Sequence, residues 1–388
     1  MLYLNLTLQS TPLTFKNSHS GIPIMYGYED PVFRQKEVLS PDYLPDHLPH
    51  REKEIKAISS IINSALKNPS SVSNIFIYGP PGTGKTASVK FIFRKLEEET
   101  SAFTVYLNCF RVNTRMGALY SIILEFFRKV RPTRRIPSRR GIAYDELYDL
   151  LISELRKSRV FPVICFDEVD HLFPRGSEVL YDLSRLKEES IPAQIIMVTN
   201  DQFVFMNVDP RIKSSLRPVE EIPYKPYTFK QMKEIIQMRV EFAFHRGVVD
   251  EEAIDYLAEV ACEMGGDVRI ARETLLRAGE LAKKDGKYRV TVDHVKSALS
   301  ESQFAKARCM IDQLSSNEKK IISLIPENGI FYSEFYELYR KVYPQGLKDR
   351  MLRYYLERLA SYGLISMERR GIGGSYFIRL NVPRKVLI

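Results

Sequence analysis

The sequence has no tryptophan and only four cysteines and six histidines in 388 residues. Cys109, Cys165, Cys262 and Cys309 lie far apart, with no C-x-x-C pair and no histidine cluster. That spacing argues against a zinc ribbon or a disulfide framework and fits a reducing compartment. No apolar run approaches the roughly 18 residues that a membrane-crossing helix needs. The opening stretch MLYLNLTLQSTPLTFK has neither an early cation nor a long apolar core, so it does not read as a secretory signal. A cytoplasmic location with no membrane partner is therefore expected.

Acidic residues are the minority charge: 57 Lys and Arg against 48 Asp and Glu leave a net +9. The excess is local. Residues 128–140 carry seven cations and no carboxylate, residues 306–388 carry 15 cations against 8 carboxylates, and the remainder is slightly acidic. Charge separated in this way points to polyanion contacts on an otherwise acidic body. The hydrophobic share of 44% and charged share of 27% are ordinary for a globular protein. At roughly 150 residues per domain, the length suggests two or three domains.

Residues 1–46 are rich in Pro, Ser, Tyr and Asp, show little helical period and read as an extended arm. Leu2, Leu4, Leu6 and Leu8 alternate as a short strand would, and Met25 opens a more globular stretch and is a candidate start. From 47 to 227, short β-rich runs (73–78, 103–108, 161–166, 193–198 and 219–222) alternate with amphipathic stretches near 85–99, 114–129, 144–157 and 177–188. Apolar strands separated by crossover helices predict a mainly parallel sheet covered on both faces. Residues 228–305 carry four helical stretches and no convincing strand. Residues 306–388 carry three more helices and then two strand-like runs around a glycine-rich tip, the pattern of a winged helix.

Three motifs carry the chemistry. GPPGTGKT at 79–86 follows a hydrophobic strand and opens a helix, the context a phosphate-binding loop requires. Gly79, Gly82 and Gly84 let backbone N–H groups turn toward phosphate, with Pro80, Pro81 and Thr83 between them and Ala87 in the first helical turn. Lys85 can reach the β- and γ-phosphates of ATP, or the β-phosphate of ADP, and the Thr86 hydroxyl can ligate Mg²⁺. VICFDE at 163–168 delivers Asp167 and Glu168 to the carboxyl edge of a buried strand. There Asp167 can hold the metal and Glu168 can polarise an attacking water. A third strand ends in Asn200, whose amide can orient that water.

These motifs in this order resemble the AAA+ ATPases. LPHRE at 48–52 resembles the adenine-side motif of the replication-initiator clade and puts His50 and Arg51 beside the cofactor. GGDVRIA at 265–271 resembles that clade's second sensor, with Arg269 facing the γ-phosphate. DPRIKSSL at 209–216 resembles its arginine-finger region, with Arg211 the first candidate finger and Arg217 the second. With the winged-helix tail, residues 45–388 resemble archaeal initiators of the origin-recognition and cell-division-control type. The resemblance implies an AAA+ α/β base with a parallel sheet, a helical lid and a C-terminal winged helix. It also implies a nucleoid-associated protein that binds duplex DNA at replication origins, helps recruit the replicative helicase, and assembles on DNA with paralogous subunits. ATP would act as a switch through slow hydrolysis.

The basic segments supply candidate DNA contacts. Arg128, Lys129, Arg131, Arg134, Arg135, Arg139 and Arg140, broken by two prolines, read as a guanidinium-rich loop suited to phosphate oxygens. Its position resembles the initiator-specific insertion that touches DNA. In the tail, Met351, Leu352, Tyr355, Leu356 and Leu359 are spaced for one buried helical face, leaving Lys348, Arg350, Arg353 and Tyr354 toward the open side. Arg369, Arg370 and Gly371 begin a basic, flexible tip suited to a minor groove. His47, His171, His245 and His294 read as surface or packing residues. Rival readings are a branch-migration motor, a clamp-loader subunit, and an ATP-responsive origin or transcription regulator.

Overall fold

A computed structural model describes residues 30–135, 138–204, 208–326, 328–370 and 375–381. The leucine alternation at 2–8, Met25, and the tip from Gly371 to Gly374 lie outside the described residues, and of Arg370 only the backbone is described.

The base begins with α1 (Glu52–Lys67), β1 (Asn74–Tyr78), α2 (Lys85–Glu99), β2 (Phe103–Asn108), α3 (Arg115–Val130), α4 (Tyr144–Ser158) and β3 (Pro162–Asp167). It continues with the short α5 (Phe173–Gly176), α6 (Glu178–Ser184), β4 (Gln194–Thr199), α7 (Pro210–Ser215) and β5 (Val219–Pro223). The strands form one sheet in the order β2-β3-β4-β1-β5 with every pairing parallel. Every residue of β3 and β4 is buried, whereas edge strand β5 exposes Glu220 and Glu221. The two-residue period of a strand divides the core between two faces. Phe76, Ile164, Phe166, Ile195 and Met197 pack toward α3, α4 and α6, while Ile75, Ile77, Val163, Cys165 and Val198 pack toward α1 and α2. The helix expected over 177–188 is shorter. Ser184 donates its hydroxyl to Tyr181 O, and the chain tightens into a 3-10 turn, Leu186–Glu189, that ends at left-handed Ser190.

The lid is built from α8 (Phe229–Ala243), α9 (Glu251–Glu263), α10 (Val268–Lys284) and α11 (Val292–Asp312). Thr228 and Gln231 close a reciprocal cap at the start of α8, and Thr291 does the same with His294 at α11. His294 is therefore a capping residue in a buried setting.

Residues 30–46 correct the expectation of an extended arm. Val32, Phe33, Val38 and Leu39 are buried in the lid core. The Phe33 ring lies 4.9 Å from that of Phe244, and a Cβ at Gly279 would meet it at 2.4 Å. Lys283–Asp30 and Lys36–Glu280 ion pairs flank the contact at 2.7 and 2.6 Å. Its apolar residues surround a 3-10 turn, Lys36–Leu39, so they follow neither a helical nor a strand period. From the lid the segment crosses to the base, where Arg94 of α2 donates to Pro45 O and pairs with Asp46, both at 3.2 Å.

The C-terminal module comprises α12 (Ser316–Leu324), β6 (Ile330–Phe331), α13 (Tyr332–Val342), α14 (Asp349–Ser361), β7 (Ile365–Arg370) and β8 (Ser375–Leu380). Its antiparallel sheet runs β6-β8-β7, one short strand more than the sequence suggested. Because α11 continues to Asp312, the expected boundary at 305 falls inside a helix. On α14 the buried face is Leu352, Leu356 and Leu359, whereas Met351 is 43% exposed. Those three share the i, i+4, i+7 stripe, which Met351 flanks rather than joins. Buried Glu318 of α12 forms an ion pair with Arg358 of α14 at 3.1 Å, tying the two helices. No helix among the described residues is long and apolar enough to cross a membrane.

Candidate functional site

Parallel strands bring their carboxyl ends to one edge, where open α/β sheets bind ligands. The phosphate-binding loop follows β1, Asp167 ends β3, Asn200 follows β4 and Asn108 ends β2. Between this edge and the lid lies a cavity of about 380 Å³, lined among others by Lys85, Thr86, Asp167, Glu168, Asn200 and Arg269. Pro81, Gly82, Gly84 and Ala87 complete the loop side of the wall.

Lys85 is buried, at 6% exposed. Its ammonium donates to Gly79 O at 2.6 Å, Pro80 O at 2.8 Å and Asn200 Oδ1 at 2.9 Å. Burial pulls its pKa down to about 8, against the opposing pull of Asp167. The Thr86 hydroxyl donates to Asp167 Oδ2 at 2.6 Å, and so does the Tyr106 hydroxyl at 2.6 Å. Glu168 N donates to Asp167 Oδ1 at 2.9 Å, fixing the turn after β3. Glu168 itself has a left-handed backbone at φ 53°, and its Oε2 accepts from Asn108 Nδ2 at 3.2 Å. Thr86 and Asp167 present a hydroxyl and a carboxylate, hard oxygen donors side by side. That set fits magnesium, which is held through one or two protein oxygens and keeps its remaining waters.

Lid and loop touch directly. Gly82 has φ 72°, and a Cβ there would lie 1.8 Å from Asp267 Oδ1, so only glycine allows the lid this close. Val268 N points to Gly82 O at 3.4 Å. Asp267 also holds Arg269, Nη2 to Oδ2 at 2.7 Å, at the cavity wall.

Some sequence candidates lie elsewhere. Arg51 is buried behind the loop rather than in the cavity wall. Its Nε donates to Thr83 O at 2.7 Å and Tyr227 Oη at 3.0 Å, its Nη2 donates to Lys225 O at 2.7 Å, and its Nη1 pairs with Glu54 at 3.1 Å. Every arm of the guanidinium is thus engaged with protein, tying the loop to the base–lid connection. His50 pairs with Glu234 of the lid at 2.8 Å. Thr83 turns its hydroxyl back to Pro80 O at 2.8 Å. Arg211 is 85% exposed and pairs only with Asp209 at its own helix start, among the described residues. Arg217 lines a groove with Asn74 and Ala193 at the amino ends of β1 and β4, the edge opposite the cavity.

Sequence reasoning missed Tyr106, Asn108, Arg239, Arg272 and the roof formed by residues 41–45. Asn108 carried a readable signal, since it is a polar residue ending a strand, and it stands in register beside Asp167. The roof carried none.

Several expected DNA contacts are engaged within the protein. Arg134 and Arg131 converge on buried Glu154, Lys129 bonds Glu97 and Thr104 O, and Arg128 pairs with Glu125. Arg139 lies 6.0 Å from the Tyr120 ring centre. Arg135 and Arg140 are exposed with no ion pair among the described residues. On α14, Lys348 and Arg350 are exposed, while Arg353 pairs with Asp349 at 3.0 Å. Arg369 lies on β7 and donates to Tyr376 Oη at 3.2 Å.

The depressed Lys85 pKa has a measurable consequence. With about 8 folded against 10.5 unfolded, the unfolded chain binds more protons between those values, so this group makes stability rise with pH across that window. Phosphate in the cavity favours the charged form. Nucleotide binding at pH 8.5 is expected to take up protons, as calorimetry in buffers of different ionisation enthalpy will detect. The Lys85→Ala protein should show no uptake.

Comparison with known proteins agrees with this architecture. Residues 70–205 match the AAA domain, and residues 233–300 match the Cdc6 AAA+ ATPase-type lid domain. The ORC1-type DNA replication protein of Desulfurococcus amylolyticus is 33% identical over 88% of this chain and 89% of its own length. That of Pyrococcus abyssi is 34% identical over 92% of this chain and 89% of its own. Among solved structures, the Aeropyrum pernix ORC1 protein in complex with DNA superposes with a TM-score of 0.74 at 29% identity, covering 93% of this chain and 96% of that one. The Aeropyrum pernix ORC2 protein in its ADPNP–ADP complexes shares the fold, with a TM-score of 0.62 at 22% identity over 92% and 96%. A parallel sheet with the phosphate loop at its edge, a Cdc6-type lid closing on that loop, and identity of this order over most of both chains place this sequence in the ORC1-type family of DNA replication initiators, AAA+ ATPases by fold.

Proposed function

We propose that this protein binds duplex DNA at replication origins, responds to ATP and ADP through its lid, and helps recruit the replicative helicase. The observation that carries the reading is the direct contact of lid on phosphate loop, Asp267 against Gly82 with Arg269 beside them at the cavity wall. A phosphate chain bound there touches both bodies, so ATP and ADP differ in how they hold the lid, and that differential affinity is what shifts a conformational equilibrium.

In this reading Lys85 exchanges its loop carbonyls for β- and γ-phosphate oxygens. Thr86 and Asp167 hold Mg²⁺, which when bound offsets the charge of the phosphates. Glu168 accepts the proton of the attacking water, Asn200 orients that water, and Arg269 bonds the γ-phosphate from the lid. Arg211, exposed and remote from its own cavity, suits a finger offered to a neighbouring or paralogous subunit on DNA. Turnover is slow while that finger is missing.

DNA contact falls to α14 with Lys348 and Arg350, to the β7–β8 wing with Arg369, and to Arg135, Arg139 and Arg140 of the basic loop. Replacing those three loop arginines with Ala should reduce the slope of log K against log salt by roughly 2–3, at about 0.9 for each phosphate no longer neutralised. An unchanged slope removes the loop from the interface. The decisive experiment is selection of sheared genomic duplex with ATP and with ADP. Enrichment of a few loci sharing a short element is expected. Uniform recovery overturns origin recognition and favours a motor.

A further inference from the structure

Two cavity-lining arginines have no counterpart in the roles given so far. Arg272 on α10 and Arg239 on α8 both face the cavity, and burial pushes both guanidinium groups below their ordinary pKa. Neither has a carboxylate within ion-pair distance among the described residues. Around Arg272, Asp267 is bonded to Arg269, Glu273 is bonded to Arg277, and Asp42 stands in the cavity wall without pairing to it. A guanidinium has five N–H donors. Arg272 spends one arm on Ser40 O at 3.2 Å, Arg239 spends one on Val38 O at 3.0 Å, and each Nε is sealed from water without an acceptor. A desolvated cation without an anion is unfavourable, and in a cavity beside a phosphate loop the missing anion is a ligand.

We propose that Arg272 is a second phosphate-contacting residue of the lid, donating to non-terminal phosphate oxygens of the bound nucleotide beside Arg269. This rests on the cavity being the nucleotide site. Arg269 and Arg272 are three residues apart and share a helical face. The start of α10 abuts Gly82, and Arg272 lies one turn, about 5 Å, further along α10 than Arg269, the residue assigned to the γ-phosphate in the proposed function. Arg239 is the less suited of the pair, because its head lies 5.1 Å from the Tyr43 ring centre and frames the roof.

The test is titration of the full chain with fluorescent Mg·ADP and Mg·ATP analogues, with competition by unlabelled ADP and adenosine. Arg272→Leu, which keeps the site apolar and filled, should weaken ADP and ATP equally, by at least tenfold, and leave adenosine unchanged. Arg272→Lys, which keeps the cation without the fork, should fall between. The apo thermal transition of each variant checks folding. If ADP and adenosine weaken together, Arg272 only props the roof and the proposal fails. It fails equally if ADP affinity is unchanged, or if ATP alone weakens. Should the wild-type protein bind no nucleotide, the reading of the cavity itself falls. Should Lys85→Ala lose binding while Arg272→Leu does not, only this inference falls.

Discussion

Lys85→Ala is expected to weaken Mg·ATP and Mg·ADP by about 100-fold or more while leaving the fold intact. The ammonium already makes three hydrogen bonds at the cavity wall, and two of its acceptors are loop carbonyls that phosphate oxygens can replace. A hydrogen bond to a charged group contributes about 1.5–3 kcal/mol, so removing two such bonds costs roughly 3 kcal/mol or more, two orders of magnitude in affinity. The apo protein should tolerate the change, because removing a buried cation also removes its desolvation cost. Nucleotide titration together with an apo melting curve checks both statements. Binding at wild-type strength would exclude the loop as the site.

Glu168→Gln is expected to lower the hydrolysis rate by about 10²–10⁴-fold while ATP binding stays within a few-fold of wild type. In the proposed mechanism the two adjacent carboxylates take separate tasks, in keeping with their different surroundings. Asp167 accepts from Thr86 and Tyr106 at Oδ2 and from the Glu168 N–H at Oδ1, which fixes it beside the Thr86 hydroxyl where a metal would sit. Among the described residues Glu168 accepts a side-chain hydrogen bond from Asn108 through Oε2, and in the proposed mechanism Oε1 takes the water proton. Glutamine preserves shape and can still accept from Asn108, so the loss reports the proton acceptor alone. Single-turnover hydrolysis with a parallel binding measurement separates the two. Normal turnover removes Glu168 from the mechanism.

Much of the base was legible in the sequence because its signals are local. The five strand runs emerge within a residue or so of their observed bounds, most plainly at β3 and β4, where buried parallel strands read as near-continuous apolar stretches. The loop GPPGTGKT and the DE pair were readable for the same reason: a few residues of fixed spacing contain most of the geometry. Asp167, Lys85 and Asn200 end or follow three different strands, and a parallel sheet with crossover helices brings the carboxyl ends of those strands to one edge.

What the sequence did not show shares a different cause. The protein partners of Arg51 were not legible, because Tyr227, Lys225 and Thr83 converge on it from segments far away in the chain. Arg131 and Arg134 looked like free cations because their partner, Glu154, follows about twenty residues later and is buried by α4 packing. Residues 30–46 looked like an arm because no period marks a segment that fits a surface it did not help to build.

By itself the sequence determined the α/β base, the glycine-rich loop after its first strand, the Asp167–Glu168 pair at the strand edge and the location of positive charge, since each depends on near neighbours in the chain. Only the tertiary structure decided which cations remain free, which glycine lets the lid meet the loop, and that a segment before the first motif roofs the cavity and leaves Arg272 facing it. Those outcomes depend on pairings between distant residues, where burial removes water as a competitor and the partner within reach sets the role of each charge.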